Sequence, residues 1–465
     1  MSSLGSILNI ARNAIAANQT AVRIASHNIA NAGTEGYTRQ VAQMVETRPD
    51  RTPLGRLGTG VRIYDIARVR DALLDSSYRR EAGQSASFDL RHELLGRIEE
   101  VLGEPSDTGL ASSLDAFYGS WSDLAKDPGN AATRSVVIQR AEHVASTLNG
   151  FSMSLDQLAQ ATRGRLETTV QEINRTTEQI AQINGIIVSE EASGTTASDL
   201  RDQRDRLLDS LSKMGAVRTI ERENGTAGVF LENALVVDGS NARSIAAAGE
   251  PPMVTLGSAA LRPAAEGSVL GELVATLTTR IPAVQGRLDE LAEALVVQTN
   301  ALQTAGFQTN GAAGINLFDP TRTTARNIMV VGTSDTLATS DNVAEPFNNR
   351  IALATAAMRS KPSQNAIAQG IWTPAQAGLL GDSSAGEHYR TTVTELAVKT
   401  NLAADSAIVH GTLVEQIETR RKSVSGVSTD EELIKVMQHQ QAYTAAARLV
   451  TVVDEMMQTV LGLGR

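Results

Sequence analysis

Residues 4–30 read LGSILNIARNAIAANQTAVRIASHNIA, and residues 436–460 read VMQHQQAYTAAARLVTVVDEMMQTV. In the first stretch Leu8, Ile15, Val22 and Ile29 recur every seven residues, with a second row, Leu4, Ala11, Asn18 and Ala25, four residues earlier. In the second stretch Val436, Tyr443, Val450 and Met457 recur in the same way, flanked by Ala446, Val453 and Val460. Seven-residue spacing with a 3/4 alternation makes a helix whose narrow seam wants another helix. The two ends are therefore suited to pairing with each other and with neighbouring copies. Alanines at 11, 14, 17, 21 and 25 allow close helix approach. An isolated pair of this kind buries little, so the ends are expected to be poorly ordered in the free chain and to fold on assembly. The ordinary alternative is that each stripe is the inward face of a core helix.

At 465 residues the chain can bury a sizeable core in two or more domains. A formal charge of −10 gives no electrostatic reason to bind nucleic acid or anionic lipid. Aromatic residues make up only 3%, so the core must be mainly Ala, Leu, Val and Ile. There is no cysteine, which excludes disulfides, thiolate metal sites and cysteine nucleophiles. No run of 18 apolar residues suggests a membrane span, and the amphipathic N-terminus is not a secretory signal. Cytoplasmic residence, or export without a cleaved signal, is expected.

Further along, Asn28 to Tyr37 is an Asn- and Gly-rich helix stop. Residues 37–68, broken by Pro49, Pro53, Gly55, Gly58 and Gly60, read as an extended linker with one or two short strands. Helices are expected over 71–102 (ended by Gly103-Glu-Pro105-Ser-Asp), 110–124, about 131–191 and 198–213. Within the long one, Val170, Ile173, Thr177, Ile180, Asn184 and Ile187 form a coiled-coil or bundle seam, with Asn184 as a register device. Three β-like runs with Asn224-Gly225 and Asp238-Gly239 turns place a small hairpin-rich insert at about 216–265. A helix from 268 to about 305 should kink or restart at Pro282. Residues 306–348 are turn-rich with a strand at 328–331, and 349–358 are helical. A loop with Pro362 and Pro374 follows, then a helix over 385–423. The last helix starts at Thr429, where Thr429 and Glu432 have capping-box spacing.

The fold class read from this pattern is mainly α. A discontinuous terminal-helix coiled-coil domain (1–36 and 428–465) is joined through a linker (37–70) to an elongated helical-bundle body (71–427). The body carries the β-hairpin insert and a loop-rich region at about 306–385.

Catalytic patterns are scarce. There is no G-x-x-x-x-G-K-[ST], H-E-x-x-H, G-x-S-x-G or EF-hand loop, and the six histidines have no metal-ligand spacing. The richest polar motif is Asp199-Leu-Arg-Asp202-Gln203-Arg204-Asp205-Arg206. It could be a carboxylate cluster for metal or acid/base work. Its mixed signs favour a charged helix face with exposed Asp–Arg pairs three and four residues apart. No catalytic, cofactor-binding or metal-ligating residue is assigned.

At this point the chain resembles a family, the bacterial flagellar hook-associated protein 1 family. Axial flagellar proteins share an amphipathic helix running into N-I-A-N and then T-x-G-Y, which stands here as Asn28-Ile29-Ala30-Asn31 and Thr34-Glu35-Gly36-Tyr37. Glu35 occupies the usual proline position. The C-terminal counterpart stands as Asp430-Glu431-Glu432, Gln440-Gln441-Ala442-Tyr443 and Asp454-Glu455. In the middle, Asp202-Gln203-Arg204-Asp205 and its surroundings, Gly267 to Gly271, Ile281-Pro282, Leu288 to Asn300, and Asn310-Gly311 through Phe318 are similar to that family's body.

The resemblance implies a structural subunit forming the junction ring between hook and filament, polymerising through its terminal helices. It implies contacts with other copies of itself, the flagellar hook protein and hook-associated protein 3. It also implies a cytoplasmic export chaperone on the C-terminal helix and passage through the flagellar type III export apparatus to the cell exterior. No enzyme activity, cofactor, nucleic acid or membrane partner is implied. Many relatives carry an extra outer β domain near 306–390, for which this chain has little room, so a slim outer surface is expected. A distal rod or hook subunit shares the ends but not the Asp-Gln-Arg-Asp region. An enzyme fused to axial ends, such as a peptidoglycan hydrolase, and a secreted coiled-coil effector or adhesin are the readings from other classes.

Overall fold

A computed structural model describes residues 2–463, apart from 53–54, 104–105, 107–108, 193, 195, 264–266, 361–366, 368–369 and 382. The expected roles of Pro53, of the turn residues 104, 105 and 107, of the insert's end at 264–265 and of Pro362 lie outside the described residues.

The chain begins with α1 (Ser2–Ala30) and passes into a β arm. In the arm, β1 (Gln40–Glu46) pairs antiparallel with β4 (Val61–Arg68), and β2 (Asp50–Thr52) with β3 (Gly55–Leu57) farther out. The linker thus holds four strands where one or two were expected. Its glycines and prolines interrupt the ladder rather than abolish it, and a register shift falls between Gln43 and Met44.

The body starts at α2 (Ala72–Leu102), whose first turn is capped by the Asp71 carboxylate accepting from the amides of Leu73 and Leu74 at 2.9 and 3.2 Å. It ends where Gly103 takes a left-handed conformation, φ 60°. Next come α3 (Leu110–Leu124), the 61-residue α4 (Ala131–Glu191) and α5 (Ser198–Met214). At 1.5 Å per residue α4 is about 90 Å long, so it spans the whole body.

The insert is richer than three strands. β5 (Val217–Glu221), β6 (Ala227–Leu231), β7 (Ala234–Asp238) and β8 (Asn241–Ala242) form one antiparallel sheet. β9 (Ile245–Ala248), β10 (Met253–Leu256) and β11 (Ala259–Leu261) form another. The expected Asn-Gly and Asp-Gly turns sit with Gly225 and Gly239 at positive φ. A third turn uses Glu232 and Asn233 at φ 47° and 66°, which carried no glycine signal.

α6 (Val269–Ala275) runs through a π-helical turn (Thr276–Arg280) into α7 (Ile281–Ala305), with Pro282 in its first turn. Strand β12 (Phe307–Gln308) pairs with β13 (Ala338–Ser340). The strand expected at 328–331 is not formed. Only an isolated bridge joins Phe318 to Val330, because Ile328 is taken into the helical core. Then follow α8 (Arg350–Ala357), α9 (Pro374–Ala377), α10 (Ala385–Ser425) and α11 (Thr429–Leu463).

Two cores lie along the body. One combines the second half of α2, α3, the first half of α4, α7, α8 and the start of α10, around Phe117, Trp121, Phe318 and Trp372. The other joins the second half of α4 with α5, α6 and the two insert sheets, around Ile173, Ile180, Leu211, Val229 and Val254. The seam of α4 is therefore buried, but against sheet as well as helix. Asn184 is not a helix-to-helix register residue. Its Nδ2 donates to the carbonyls of Ala227 and Gly239 at 2.9 and 2.8 Å, and its Oδ1 accepts from the Ala227 amide at 3.1 Å and from Arg204. A lone inward amide at a seam position meets backbone edges here, which satisfy it better than an apolar helix face would.

α2 and α10 run antiparallel and side by side. The Tyr389 hydroxyl donates to the Leu102 carbonyl at 3.0 Å, and the His410 ring lies 2.9 Å from the Glu81 carboxylate. The body thus leaves its starting point along α2 and returns to it along α10. No described helix is long and apolar enough to cross a membrane.

Candidate functional site

The site is the place where α1, the β arm, α2, α5, α10 and α11 meet. α1 and α11 pack antiparallel: Asn28 bonds Glu432 at 2.9 Å, and Asn18 lies 2.9 Å from His439. The residues buried on these two helices are mostly small, Ala11, Ala17, Ala21, Ala25 and Ala446, with Ile24 and Val453. The heptad row Leu8, Ile15, Val22 and Ile29 lies half-buried on one shoulder. On α11, Val436 and Val450 are half-buried, whereas Tyr443 and Met457 are exposed, together with Leu433, Ile434, Met437, Leu449, Val452, Met456 and Val460. Small residues let the two backbones approach, and the larger apolar residues are left facing outward.

At the inner end of the pair, Asn28 is fully buried and uses all of its bonding capacity. Its Oδ1 accepts from the Gln40 amide at 3.0 Å and from the Tyr37 hydroxyl at 2.8 Å, and its Nδ2 donates to the Gln40 carbonyl and to the Glu432 carboxylate, both at 2.9 Å. Glu432 is 1% exposed and also binds Lys435. The expected capping role of Thr429 with Glu432 is displaced. Ser428 sits at the cap, and the Glu432 carboxylate turns inward to Asn28 and Lys435. Gly36 turns the chain at φ 72°, and a Cβ there would lie 2.6 Å from the Arg206 side chain. Tyr37 packs edge-on to His27. Burial, and then the nearby carboxylates of Asp199, Asp202 and Glu432, hold its phenol well above the ordinary value. Asn31 closes the helix end by donating to the His27 carbonyl at 3.0 Å.

The Asp199 to Asp205 motif is neither an empty carboxylate cage nor an exposed face. Asp202, Asp205 and Asp209 lie on one side of α5 and meet arginines from other elements. Asp202 accepts from Thr38 and, at 2.7 Å, from Arg68. Asp205 takes Arg68 at 2.8 Å, Arg79 at 3.2 Å and Arg70. Asp209 binds Arg79 at 2.7 Å and Arg421 at 2.9 Å, and Arg421 also reaches Asp75 at 2.9 Å and lies over the Tyr78 ring. Burial works against the charge of Arg421, but Asp209 and Asp75 outweigh it and leave its affinity for a proton raised. Arg204 points the other way, 1% exposed, into the Gly225 carbonyl at 2.7 Å, Asn184 at 3.1 Å and Glu221 at 2.8 Å. Burial pushes its pKa down to about 10. Gln203, Gln440 and Gln441 are exposed.

Every covalent crossing between the terminal pair and the body passes through this hub. The Arg39 amide donates to Ser425 and the Val69 amide to Arg39, each at 2.9 Å, so the three crossings are bonded to one another. The sequence missed these partners because they stand far apart in it: Arg68 and Arg70 are more than 130 residues from Asp205. The available signal was complementary geometry. Arg68 and Arg70 are two apart at a strand end, and three aspartates are spaced by three and four on one helix face. Among the described residues no group of His, Cys, Asp and Glu could hold a metal ion.

Residues 95–318 match the family described as flagellar hook-associated protein FlgK helical domain. The ends match other flagellar families: residues 8–38 the flagella basal body rod protein, and 423–463 the flagellar basal body rod FlgEFG protein C-terminal region. The chain is 28% identical over 501 aligned positions to flagellar hook-associated protein 1 of Bacillus subtilis, covering 98% of each. Along nearly its whole length the chain is similar to the flagellar hook-associated protein 1 family. Members from Salmonella typhimurium and Escherichia coli are each 24% identical, with 99% of this chain and all of the relative aligned. The flagellar hook junction protein FlgK from Burkholderia pseudomallei shares the fold, with a TM-score of 0.63 at 14% identity over 75% of this chain and all of that one. The mainly α class follows from both. The ends are those shared with rod proteins, and the helical body is what separates this chain from a rod or hook subunit. The family is structural and flagellar.

Proposed function

We propose that the chain acts as the structural junction subunit between flagellar hook and filament, polymerising through α1 and α11. The observation that carries this is the outward apolar face of α11, from Leu433 to Val460, on a helix pair clamped to a rigid body by the hub. A free protein gains nothing from such a face, whereas a tube wall built of neighbouring copies buries it. In this reading residues 1–36 and 428–465 are the assembly domain around the export channel, 37–70 connect, and 71–427 face outward. Leu8, Ile15, Val22, Ile29, Val436, Tyr443, Val450 and Met457 lie in contacts between copies. The subunit sits on the hook protein and carries hook-associated protein 3. It crosses the envelope unfolded through the type III apparatus and ends outside the cell. A cytoplasmic chaperone covers the α11 face beforehand. The role requires no catalysis.

Electron microscopy of a strain lacking the gene, with flagellin blotted in the medium, tests this. Hooks without filaments and flagellin in the medium are the expected result. Missing hooks would point to a rod or hook subunit, and normal filaments would refute the reading. Val450→Asp places a charge on the α11 stripe and should abolish filament attachment while leaving the body folded. Normal swimming of that strain would remove the stripe from the mechanism.

A further inference from the structure

We propose that the β arm of one copy docks on the outer face of α10 of another copy, which joins subunits head to tail outside the terminal-helix core. This rests on the assembly reading above and adds a second, chemically distinct contact to it.

The charge of the chain is unevenly placed. Residues 1–70 hold nine arginines and four acidic residues, in a protein whose net charge is −10. Three of those arginines, Arg48, Arg56 and Arg62, are exposed on the arm and form no ion pair among the described residues. Beside them Val41, Met44, Leu57 and Tyr64 are exposed, with Leu57 and Tyr64 at 59% and 66%. Arg62 and Tyr64, two apart on β4, share one face of the ribbon, and with the exposed Arg56 and Leu57 farther out they offer half of an interface.

The other half is on α10. Val398, Leu402, Val409 and Leu413 are spaced by four and seven residues with Asp405 between them, so they share one face, and all are exposed. Glu395 and Asp405 lie on that face without an ion pair among the described residues, and Lys399 flanks it. An open groove of ≈ 620 Å³ runs along the part of the face from Glu387 to Leu402. The arm brings exposed arginines and α10 brings Glu395 and Asp405, with Arg390 and Lys399 beside the groove.

One chain cannot make this contact with itself. The arm runs along α1 away from the hub, where Gly60 lies against Ile10 and Asn13 donates to the Thr59 carbonyl at 3.5 Å. The acceptor stretch packs on α2 and leads into the hub only at Arg421. Donor and acceptor are different surfaces of the same subunit, so the contact is heterologous and repeats without closing on a dimer.

The absence of native cysteine makes the test clean. Full-length chain carrying Arg56→Cys and Asp405→Cys is expressed in the motile strain in place of the natural gene. Isolated hook–filament structures are oxidised, and the chain is blotted after denaturing electrophoresis. A ladder of dimer, trimer and larger species, absent from both single-cysteine variants, is the expected result. No cross-link, a product confined to the monomer, or a product that stops at the dimer would overturn the proposal while the protein's presence in the structures upholds the junction role. Absence of the protein from the structures would overturn both.

Discussion

Asn28 shows how much a single amide can organise. Among the described residues four other amides do the same work, each exchanging two bonds with the backbone of one distant residue: Asn174 with Ile245, Asn184 with Ala227, Asn300 with Phe318, and Gln303 with Ala338. Each stands where a strand or loop meets a helix, and mimics a strand pairing there. Replacing Asn28 by its isostere tests this directly. Asn28→Asp turns the donor into an acceptor facing the Gln40 carbonyl and the Glu432 carboxylate, so two bonds become repulsions. We expect a loss of about 2 kcal/mol or more per subunit in the urea stability of the assembled form, where the terminal helices are folded. A change within a few tenths would mean that the hub is held by other contacts. The sequence announced Asn28 through its motif, and Asn184 and Asn300 through their places in apolar stripes. It could not say which backbone each would meet, because a single chain carries no record of contacts hundreds of residues apart.

At the scale of elements, α5 is the part that departs most from its sequence reading. Asp–Arg alternation on a helix ordinarily means solvated pairs three or four residues apart. Here Asp202, Asp205 and Asp209 face the arm and α2, Arg204 faces the insert, Arg201 pairs with Glu191 of α4 and Arg206 lies against Gly36. The reason is that α5 is wedged between elements, which helix periodicity shows only as a weak apolar stripe. Helix limits, by contrast, were legible almost to the residue, since Asp71, Asn130, Ser268 and Ser384 cap them with side chains that serve little other purpose. The arm was under-read because glycine and proline signal breaks, and a long interrupted ribbon looks like a loop. Asp205→Ala should cost about 2 kcal/mol in stability, since Arg68, Arg70 and Arg79 each lose one partner and keep another. Chemical denaturation would measure it, and an unchanged midpoint would show the network to be dispensable. On α10, burial holds the His388 imidazole below its ordinary value of 6.5, against the pull of Glu290 at 3.4 Å. The unfolded chain therefore takes up this proton at higher pH than the folded one. Stability from this residue is full above pH 6.5 and falls as the pH drops through that value toward the folded one. His388→Gln should flatten the decline in unfolding free energy between pH 7 and pH 5.5, and an identical slope would assign the decline elsewhere.

For the whole molecule, a long route closes on its starting point. The chain leaves the hub along α2, builds two cores along α4, and returns along α10 to the residues that hold α1 and α11. The body has aromatic and aliphatic cores with fully buried side chains, whereas the terminal pair meets over alanines and exposes its larger apolar residues. Mainly α architecture was readable from periodicity, and the flagellar family from motif. The fused network at the centre was not, because it depends on which surfaces the fold brings together. This contrast gives the central claim: the body is stable alone, and the terminal helices become so only among their neighbours. Amide hydrogen exchange on the free chain and on isolated hook–filament structures measures it most directly. The account predicts fast exchange at residues 5–30 and 435–460 in the free chain, slow exchange in α2, α4 and α7, and strong protection of both ends once assembled. Strong protection of the ends in the free chain, or none after assembly, would contradict it.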